Sequence, residues 1–355
     1  MTMRRSLRIA VTVDPYIPVP PTYYGGIERM VDLVARGLAE RGHQITLFAH
    51  PESRTAGTLV PYGAPPHFAR KNRLVELWQV GMGLWQRRQA VDVVLSWGRL
   101  AALLPILPLR LLPKIQRYCR PEVPWTSVEC AARLAGRSIR FTAPTRQVYA
   151  SPSRPARARS RWSTIHDGVD IGKYHFVGAV PSDAPLIFLG RLEPAKGVHH
   201  AIAIARVAGR ALIIAGNHDD RPGGVEYFER EIAPHVDGHG VRCVRAVDDR
   251  QKNALLGGAA ALLFPSTVNE TFGIVMAEAM ACGTPVIGFD RGSVREVIND
   301  GVTGFVCRGV DDAAAAVARL GSINRAAVRA DCEARFSDRV MVDAYETLLG
   351  EVVGA

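Results

Sequence analysis

The sequence predicts an α/β protein with two doubly wound halves. Short apolar runs typical of buried parallel strands alternate with helical segments along the chain. The chain opens with a β-α-β pattern, in which a strand at 7–13 is followed by a Pro-rich loop, a helix at 27–41 and a strand at 44–50. At 355 residues the chain exceeds a single ordinary core, so two domains are expected.

The alternation of strands and helices continues to the end of the chain. In the first half we predict helices at 73–88 and 100–112 and strands at 91–97, 114–119 and 138–143. In the second half we predict strands at 186–190, 211–216, 241–244, 261–264 and 285–289, and helices at 198–208, 227–236, 250–258, 273–282, 310–320 and 338–353. Gly168 and Gly172 mark the passage between the halves. The predicted domains therefore run over 1–168 and 169–335.

Composition narrows the class of protein. No window holds the roughly 18 uninterrupted apolar residues of a membrane span, and residues 1–8 lack the pattern of a secretion signal. The six cysteines are scattered without metal-type spacing, which is typical of a reducing compartment. Acidic pairs at 219–220 and 248–249 are interpreted as loops, because such pairs are common by chance. We expect a cytoplasmic protein without a metal or cofactor.

Much of the net charge of +10 is clustered in residues 133–161. Three interpretations of this basic region compete: a solvated surface, a face that rests on anionic lipid, and a nucleic-acid site. A nucleic-acid partner is not expected, because no helix-turn-helix, zinc-finger or RNA-binding motif accompanies the charge. Each Lys or Arg adds only about 1 kcal/mol near an anionic membrane. The solvated surface and peripheral contact with the inner face of a membrane therefore both stay open.

The stretch 265–306 contains the most informative residues. Its short helix at 273–282 is apolar on every face except at Glu278, and a helix that is apolar all round is a buried one. A buried carboxylate needs hydrogen-bond donors, although a Glu in a helix is usually a solvated surface residue. No Lys or Arg lies within one turn of Glu278. The donors must therefore come from elsewhere in the fold or from hydroxyl groups of a ligand.

A second carboxylate, Glu270, lies in the polar loop that precedes this helix. The backbone N–H groups at the start of the helix favour an anion at the same place, because they are unsatisfied and the helix dipole is positive there. These are the N–H groups of Phe272, Gly273, Ile274 and Val275. A ligand with an anionic middle and hydroxyl-rich flanks fits both features, and nucleotide sugars have this layout.

Three further candidates follow the ends of predicted strands, where ligands bind in open α/β sheets. Gly26 precedes a helix and lets a ligand approach the backbone closely, unless the glycine only releases the loop into the helix. Arg191 and Lys196 bring two positive charges that can stabilise a diphosphate leaving group. The alternative for Arg191 is a surface ion pair with nearby Glu193.

These motifs resemble one family, the retaining glycosyltransferases of family 4. The matching segments are GRLEPAKG at 190–197, NETFGIVMAEAMACGTPVIGFDRGSVREVI at 269–298 and DGVTGF at 300–305. Glu270 and Glu278 then form the family's E-x7-E pair, and YGGIERMV at 24–31 resembles its Gly-rich acceptor-side loop. The resemblance implies the GT-B fold, in which two Rossmann-like domains face a central cleft and a C-terminal helix, here at 336–355, crosses back to the first domain.

The resemblance also implies roles for the candidate residues. Arg191 and Lys196 would hold the donor diphosphate, Glu270 would contact hydroxyl groups of the donor sugar, and Glu278 would bind the ribose. The amides at 272–275 would touch sugar and phosphate. Family members act without a metal and retain the anomeric configuration by front-face attack, in which the leaving phosphate oxygen accepts the acceptor's proton. Arg191, Lys196 and Glu270 are thus the predicted catalytic residues.

One position departs from the family pattern. Where relatives commonly carry a His after a strand resembling VVYTVHG, this chain has KIQRYCRPE, which places Arg120 nearest to that position. Arg120 would then contact the donor sugar and favour a modified or acidic sugar, unless the loop is shifted. Gly26, in the first domain, would touch the donor phosphate.

Three functions are weighed on this basis. The first is transfer of a hexose-type sugar from a UDP- or GDP-sugar to an acceptor hydroxyl on a glycan, a lipid-linked glycan or a small molecule. The second is a nucleotide-sugar epimerase of the same fold, which the combination of GRLEPAKG with E-x7-E disfavours. The third is an inactive partner subunit, which would have no need of Arg191, Lys196, Glu270 and Glu278.

Overall fold

The computed structural model describes residues 5–22, 25–63, 70–150, 161–217, 222–245 and 247–354. The chain divides into two compact units: a first unit of residues 1–168 with 338–355, and a second unit of residues 169–337. The chain leaves the second unit two residues later than the predicted boundary at 335. The physical reason is that Phe336 is buried in the core of the second unit.

The described part of the first unit contains a seven-stranded parallel sheet. Its strands are β1 (Arg8–Thr12), β2 (Gln44–Ala49), β3 (Thr58–Pro61), β4 (Val93–Ser96), β5 (Lys114–Arg117), β6 (Ile139–Ala143) and β7 (Trp162–Thr164). Their order in the sheet is β3-β2-β1-β4-β5-β6-β7. The α-helices α1 (Gly26–Glu40), α2 (Arg70–Gln86) and α3 (Trp125–Ala135) connect them.

The helix predicted at 100–112 is a shorter 3-10 helix, Leu100–Ile106. Pro105 lies inside it and Pro108 follows, and a proline lacks the N–H that an α-helix needs. The predicted strand at 91–97 is observed as β4, whose four residues are all buried. A strand buried along its whole length is typical of a parallel sheet covered on both faces.

The second unit contains, in its described residues, a six-stranded parallel sheet. Its strands are β8 (Leu186–Leu189), β9 (Leu212–Ala215), β10 (Val241–Val244), β11 (Ala261–Phe264), β12 (Val286–Phe289) and β13 (Gly304–Cys307), in the order β10-β9-β8-β11-β12-β13. Its α-helices are α4 (Val198–Val207), α5 (Pro222–Glu231), α6 (Asp249–Gly258), α7 (Ile274–Ala281), α8 (Val294–Val297), α9 (Val310–Ala318) and α10 (Arg325–Phe336). Both units thus confirm the predicted doubly wound α/β class.

The last helix, α11 (Asp338–Gly354), belongs to the first unit and packs against α1. The two helices approach closely at Gly37, where an added Cβ would lie 2.6 Å from Val342 Cγ2. Arg41 joins them by ion pairs to Asp343 at 2.7 Å and Glu346 at 2.6 Å. Among the residues described, no helix combines the length and the apolar character needed to cross a membrane.

Candidate functional site

Two loops of the second unit meet where β8 and β11 end. These strands are neighbours in the sheet, so the loops that follow them begin at the same edge. Thr267 N–H donates to Ala195 O at 3.0 Å, and Ser266 Oγ donates to the same carbonyl at 3.2 Å. Gly197 permits this approach, because its φ is 74° and an added Cβ would lie 2.0 Å from Pro265 O. The two loops therefore form one fixed surface.

Lys196 and Glu270 face each other on this surface. The Lys196 ammonium donates to Glu270 Oε1, and Ser266 Oγ lies 3.4 Å from the same oxygen. Both charged side chains are partly exposed. The structure thus brings together the cation predicted to hold a diphosphate and the carboxylate predicted to contact a sugar.

The backbone of Glu270 is held by the loop that follows β12. Gly292 has a φ of 57°, and an added Cβ would lie 2.6 Å from Glu270 N. Ser293 N–H donates to Glu270 O at 3.1 Å, while Ser293 Oγ donates to Phe272 O at 2.7 Å. Sequence reasoning did not single out Gly292 or Ser293, although both lie in the family motif. We interpret them as positioning residues for the loop that carries Glu270.

Helix α7 begins directly after this loop. Its N-cap, Gly273, has a φ of 75°, and an added Cβ would lie 2.6 Å from Phe264 Cζ. As the first residues of the helix, Ile274 and Val275 have no intrahelical acceptor for their N–H groups. Phe272 is buried and packs edge-on against Phe336, with ring centroids 5.4 Å apart. The chain therefore enters the helix in a fixed direction.

Glu278 is 5% exposed, and its donors come from distant parts of the second unit. Tyr174 Oη donates to Glu278 Oε1 at 2.8 Å, and Lys252 Nζ donates to the same oxygen at 2.5 Å. The Lys252 ammonium also lies 3.5 Å from Asp249 Oδ1 and 5.5 Å from the centroid of the Tyr174 ring. Of the two sources of donors expected for Glu278, the structure thus shows the one from elsewhere in the fold. The sequence signalled the need for partners without identifying Lys252 or Tyr174.

Arg191 pairs with Glu193, with Arg191 Nη1 donating to Glu193 Oε2 at 2.8 Å. This is the alternative pairing considered for Arg191 from the sequence. The Arg191 side chain is 42% exposed, so the ion pair is a surface one and holds the guanidinium only weakly. Arg191 and Lys196 follow the same strand, β8.

Gly26 and Arg120 belong to the first unit. Gly25, which precedes α1, has a φ of 150° and would clash with Pro21 if it carried a Cβ, at 2.7 Å. Gly26 begins the helix, and an added Cβ there meets nothing within 4 Å. The backbone geometry at the start of α1 therefore requires a glycine at position 25 but not at position 26. Arg120 is exposed and lines a cavity of about 720 Å³ within the first unit.

Some predicted features lie outside the described residues: Tyr24 of the YGGIERMV motif, the acidic pair at 219–220, and 151–160 of the basic region. The other acidic pair, 248–249, starts α6. Asp248 caps that helix by accepting from Gln251 N–H at 2.7 Å, and the Gln251 side chain accepts from Asp248 N–H in return. This capping box accounts for Asp248 without a metal.

Two family models match the chain. The model described as Glycosyltransferase Family 4 matches residues 24–173, and the model described as Glycosyl transferases group 1 matches residues 172–334. The chain belongs to glycosyltransferase family 4. This membership confirms the predicted family and enzyme class.

Individual relatives of this family 4 chain differ in their named activities. It is 34% identical over 215 residues to the phosphatidyl-myo-inositol mannosyltransferase of Mycolicibacterium smegmatis, and the match covers 52% of each chain, so the chain spans about half the length of that relative. It is 29% identical over 357 residues to the glycogen synthase of Mycobacterium tuberculosis, with 84% of this chain and 82% of the relative covered.

A solved structure shows the same fold. HepE of Anabaena, in complex with UDP and glucose, aligns with 97% of this chain and 100% of its own at a TM-score of 0.73 and 19% identity. At that identity the likeness shows the fold alone. It confirms the GT-B fold that the resemblance implied.

Proposed function

We propose that this family 4 protein is a retaining, metal-independent glycosyltransferase that moves a hexose-type sugar from a UDP- or GDP-sugar to an acceptor hydroxyl. The observation that carries the proposal is the Lys196–Glu270 pair, because it sets a cation and a carboxylate side by side in the loops that precede the N-terminus of α7. A sugar diphosphate needs a cation for its phosphates and an acceptor for its sugar hydroxyls.

In this proposal the donor diphosphate lies near Lys196 and the first turn of α7. Two sources of positive potential then act on it: the Lys196 ammonium and the N–H groups of Ile274 and Val275. Arg191 adds a third when the guanidinium leaves Glu193, which costs little because the pair is largely solvated. These groups stabilise the charge that develops on the leaving nucleoside diphosphate.

Glu278 accepts hydrogen bonds from the ribose hydroxyls of the donor. Its burial excludes water, and the Lys252 ammonium offsets the cost of burying its negative charge. Because Tyr174 and Lys252 both donate to Oε1, they fix the orientation of the carboxylate. Glu278 is therefore a binding residue, whereas Glu270 acts on the sugar that reacts.

The transfer step breaks the bond between the sugar C1 and the phosphate oxygen and forms a bond from C1 to the acceptor oxygen on the same face. The proton of the acceptor hydroxyl passes to the departing phosphate oxygen. Glu270 and Lys196 orient sugar and phosphate for this exchange, which makes the reaction nearly unimolecular once both substrates are bound.

The test is a screen of UDP- and GDP-sugars for release of the nucleoside diphosphate, with and without EDTA. Release that persists in EDTA supports the proposal, and release abolished by EDTA overturns its metal-free part. Product anomers of opposite configuration to the donor would overturn retention. Conversion of a donor sugar to its epimer would favour the epimerase, and absence of reaction with every donor would favour the inactive subunit.

The proposal includes peripheral contact of the basic region with a membrane. Arg133 and Arg137 are exposed there, and Leu134 between them is half exposed. Cosedimentation with vesicles of neutral or anionic lipid tests this. Binding to anionic vesicles that weakens with added salt is expected from exposed charges, and equal binding to both vesicle types would contradict it.

A further inference from the structure

A cavity of about 720 Å³ lies within the first unit, beside the ends of β4 and β5. Its volume is that of a typical small-molecule site, which ranges over about 300–1,000 Å³. The donor groups proposed above, apart from Gly26 and Arg120, all belong to the second unit. Apart from Arg120, no residue that lines the cavity has been assigned a contact with the donor.

Much of the cavity wall is apolar. Leu100, Leu104 and Leu107 come from the 3-10 helix and the residue that follows it, while Ala131 and Leu134 come from α3. Leu104 is 56% exposed and Leu134 is 50% exposed. Two leucines that line a cavity and are half exposed mark a surface that an apolar group can cover.

Two cations line the same cavity. Arg73 and Arg120 are exposed, and within the described part of the chain neither forms an ion pair. Arg99 differs, because it is paired with Asp14 at 3.3 Å and Glu76 at 3.1 Å. Arg73 and Arg120 are thus the lining cations that are available to a ligand anion.

Part of the cavity lining is polar. Trp97, Gln116 and Tyr118 belong to this part, and each has a buried side-chain atom that, within the described residues, lacks a hydrogen-bond partner: Trp97 Nε1, Gln116 Oε1 and Tyr118 Oη. A buried polar atom without a partner costs about 1–3 kcal/mol, so these three side chains have unused hydrogen-bonding capacity.

We propose that the acceptor of this transferase is an amphipathic molecule that joins an apolar chain to an anionic group. The apolar chain lies between the 3-10 helix and α3, and the anionic group binds Arg73 and Arg120. Arg120 is thereby assigned to the acceptor and not to the donor sugar. This inference rests on the proposed function, since it names the second substrate of the same reaction. A plain sugar acceptor would leave the leucines unused, and a neutral apolar one would leave both arginines without a partner.

The test measures direct binding of three probes by calorimetry, each below its micelle concentration: n-dodecyl phosphate, n-butyl phosphate and n-dodecyl glucoside. Dodecyl phosphate is expected to bind at least about tenfold more tightly than butyl phosphate, because its longer chain buries more apolar surface. It is also expected to bind several-fold more tightly than dodecyl glucoside, because only the phosphate engages the arginines. Equal affinities for all three probes would overturn the proposal.

Matched variants locate the binding. Leu134→Glu and Arg120→Ala are each expected to weaken dodecyl phosphate about tenfold or more. Leu111→Glu and Arg339→Ala are the controls, because Leu111 and Arg339 are exposed residues of the same unit that do not line the cavity and lie outside the basic region. If all four variants behave alike, the probe binds elsewhere and the proposal is wrong.

A competition experiment distinguishes an acceptor that comes from a membrane from one that is soluble. Competition by anionic phospholipid vesicles against dodecyl phosphate would indicate a membrane lipid, and competition only by monomeric alkyl phosphates would indicate a soluble acceptor. The binding arms need no donor, so they are independent of turnover. If the protein binds dodecyl phosphate in this cavity but releases no diphosphate from any donor, the proposed transferase function is wrong. The proposal that the cavity binds an anionic amphiphile would still hold.

Discussion

Among the residues that the structure describes, both carboxylates of the candidate site in the second unit pair with a lysine, whereas two cations that line the cavity of the first unit form no ion pair. In the second unit Lys196 pairs with Glu270, and Lys252 pairs with Glu278. In the first unit Arg73 and Arg120 line the same cavity as several leucines. The difference is consistent with the two ligands proposed above, a charged nucleotide sugar in the second unit and an amphipathic, anionic acceptor in the first.

The backbone does not show the same contrast. Gly197, Gly273 and Gly292 all have a positive φ, and each would clash if it carried a Cβ, so the loops of the second unit are fixed at several points. Gly25 of the first unit is held in the same way, with a φ of 150° and a clash with Pro21, whereas an added Cβ at Gly26 meets nothing. The two units therefore differ in the pairing of their charged groups and not in the rigidity of their loops.

The largest effect is expected from Glu278→Ala. The substitution leaves the buried Lys252 ammonium with the more distant Asp249 and the face of the Tyr174 ring, and breaking a buried pair in this way costs about 3–5 kcal/mol. Hydrogen exchange of the peptides that contain β11 and β12 measures this loss of stability in the second unit. All five tryptophans lie in the first unit, so their fluorescence should show an unchanged transition.

The matched control is the double variant Glu278→Ala with Lys252→Met, which removes both charges and should recover most of the lost stability. Neither variant should bind nucleotide normally. A single variant as stable as the parent would contradict the view that the second unit depends on this pair.

The next effect concerns nucleotide affinity. Lys196→Ala should weaken UDP and GDP binding about tenfold to a hundredfold, the value of a lost charged hydrogen bond of about 1.5–3 kcal/mol. Glu278→Ala should weaken binding more than Glu270→Ala, which should mainly reduce turnover. Calorimetry on each variant tests this, with Lys173→Ala as an exposed control in the same unit. Equal affinities for the parent and all variants would remove the assignment.

A smaller effect separates two adjacent glycines. Gly25→Ala should destabilise the first unit by about 1–3 kcal/mol, because its φ of 150° is strained for alanine and the added Cβ meets Pro21. Gly26→Ala should leave stability within about 0.5 kcal/mol or raise it slightly. The turnover of the Gly26→Ala variant should fall if the donor phosphate approaches the backbone of Gly26. Urea unfolding followed by tryptophan fluorescence and a donor assay give both readings, and full turnover in Gly26→Ala would exclude Gly26 from the site.

The smallest effect is a pH dependence of the first unit. Lys114 is fully buried and donates to Leu109 O at 2.7 Å and Ser138 Oγ at 2.9 Å. Burial lowers the pKa of its ammonium group from 10.5 to about 8. Between these values the unfolded chain binds more protons than the folded one, so the free energy of unfolding should rise by about 1 kcal/mol when the pH is raised from about 8 to about 9. Lys114→Met should lack this rise, and an identical rise in the variant would refute the assignment.

The strands and helices near the donor site could be predicted because each carries its signal locally. The apolar run of β11, the all-round apolar helix around Glu278 and the glycine before it place α7 within one residue of its observed limits, Ile274–Ala281. Elements with weak local signals were not predicted. β3 has partly exposed residues and β7 has only three, while α10 shows its buried stripe of Val328, Cys332 and Phe336 among charged neighbours.

The partners of the charged residues could not be predicted for a different reason. Tyr174 lies 104 residues from Glu278 and Lys252 lies 26 residues from it, so only the order of strands brings them together. Lys196 and Glu270 are 74 residues apart and meet because β8 and β11 are adjacent. Periodicity gives each element its type, but it does not give the neighbours of a strand in the sheet.

The position of α11 determines the order in which the protein can be completed during synthesis. The second unit is one uninterrupted segment, so it can fold as soon as residue 337 has left the ribosome. The first unit begins earlier but is finished later, because the face of α1 around Gly37 stays open until Val342 and its neighbours arrive. A polypeptide released before α11 is made would contain a folded second unit. Its first unit would expose the face of α1 that α11 otherwise covers, and it would be prone to associate through that face.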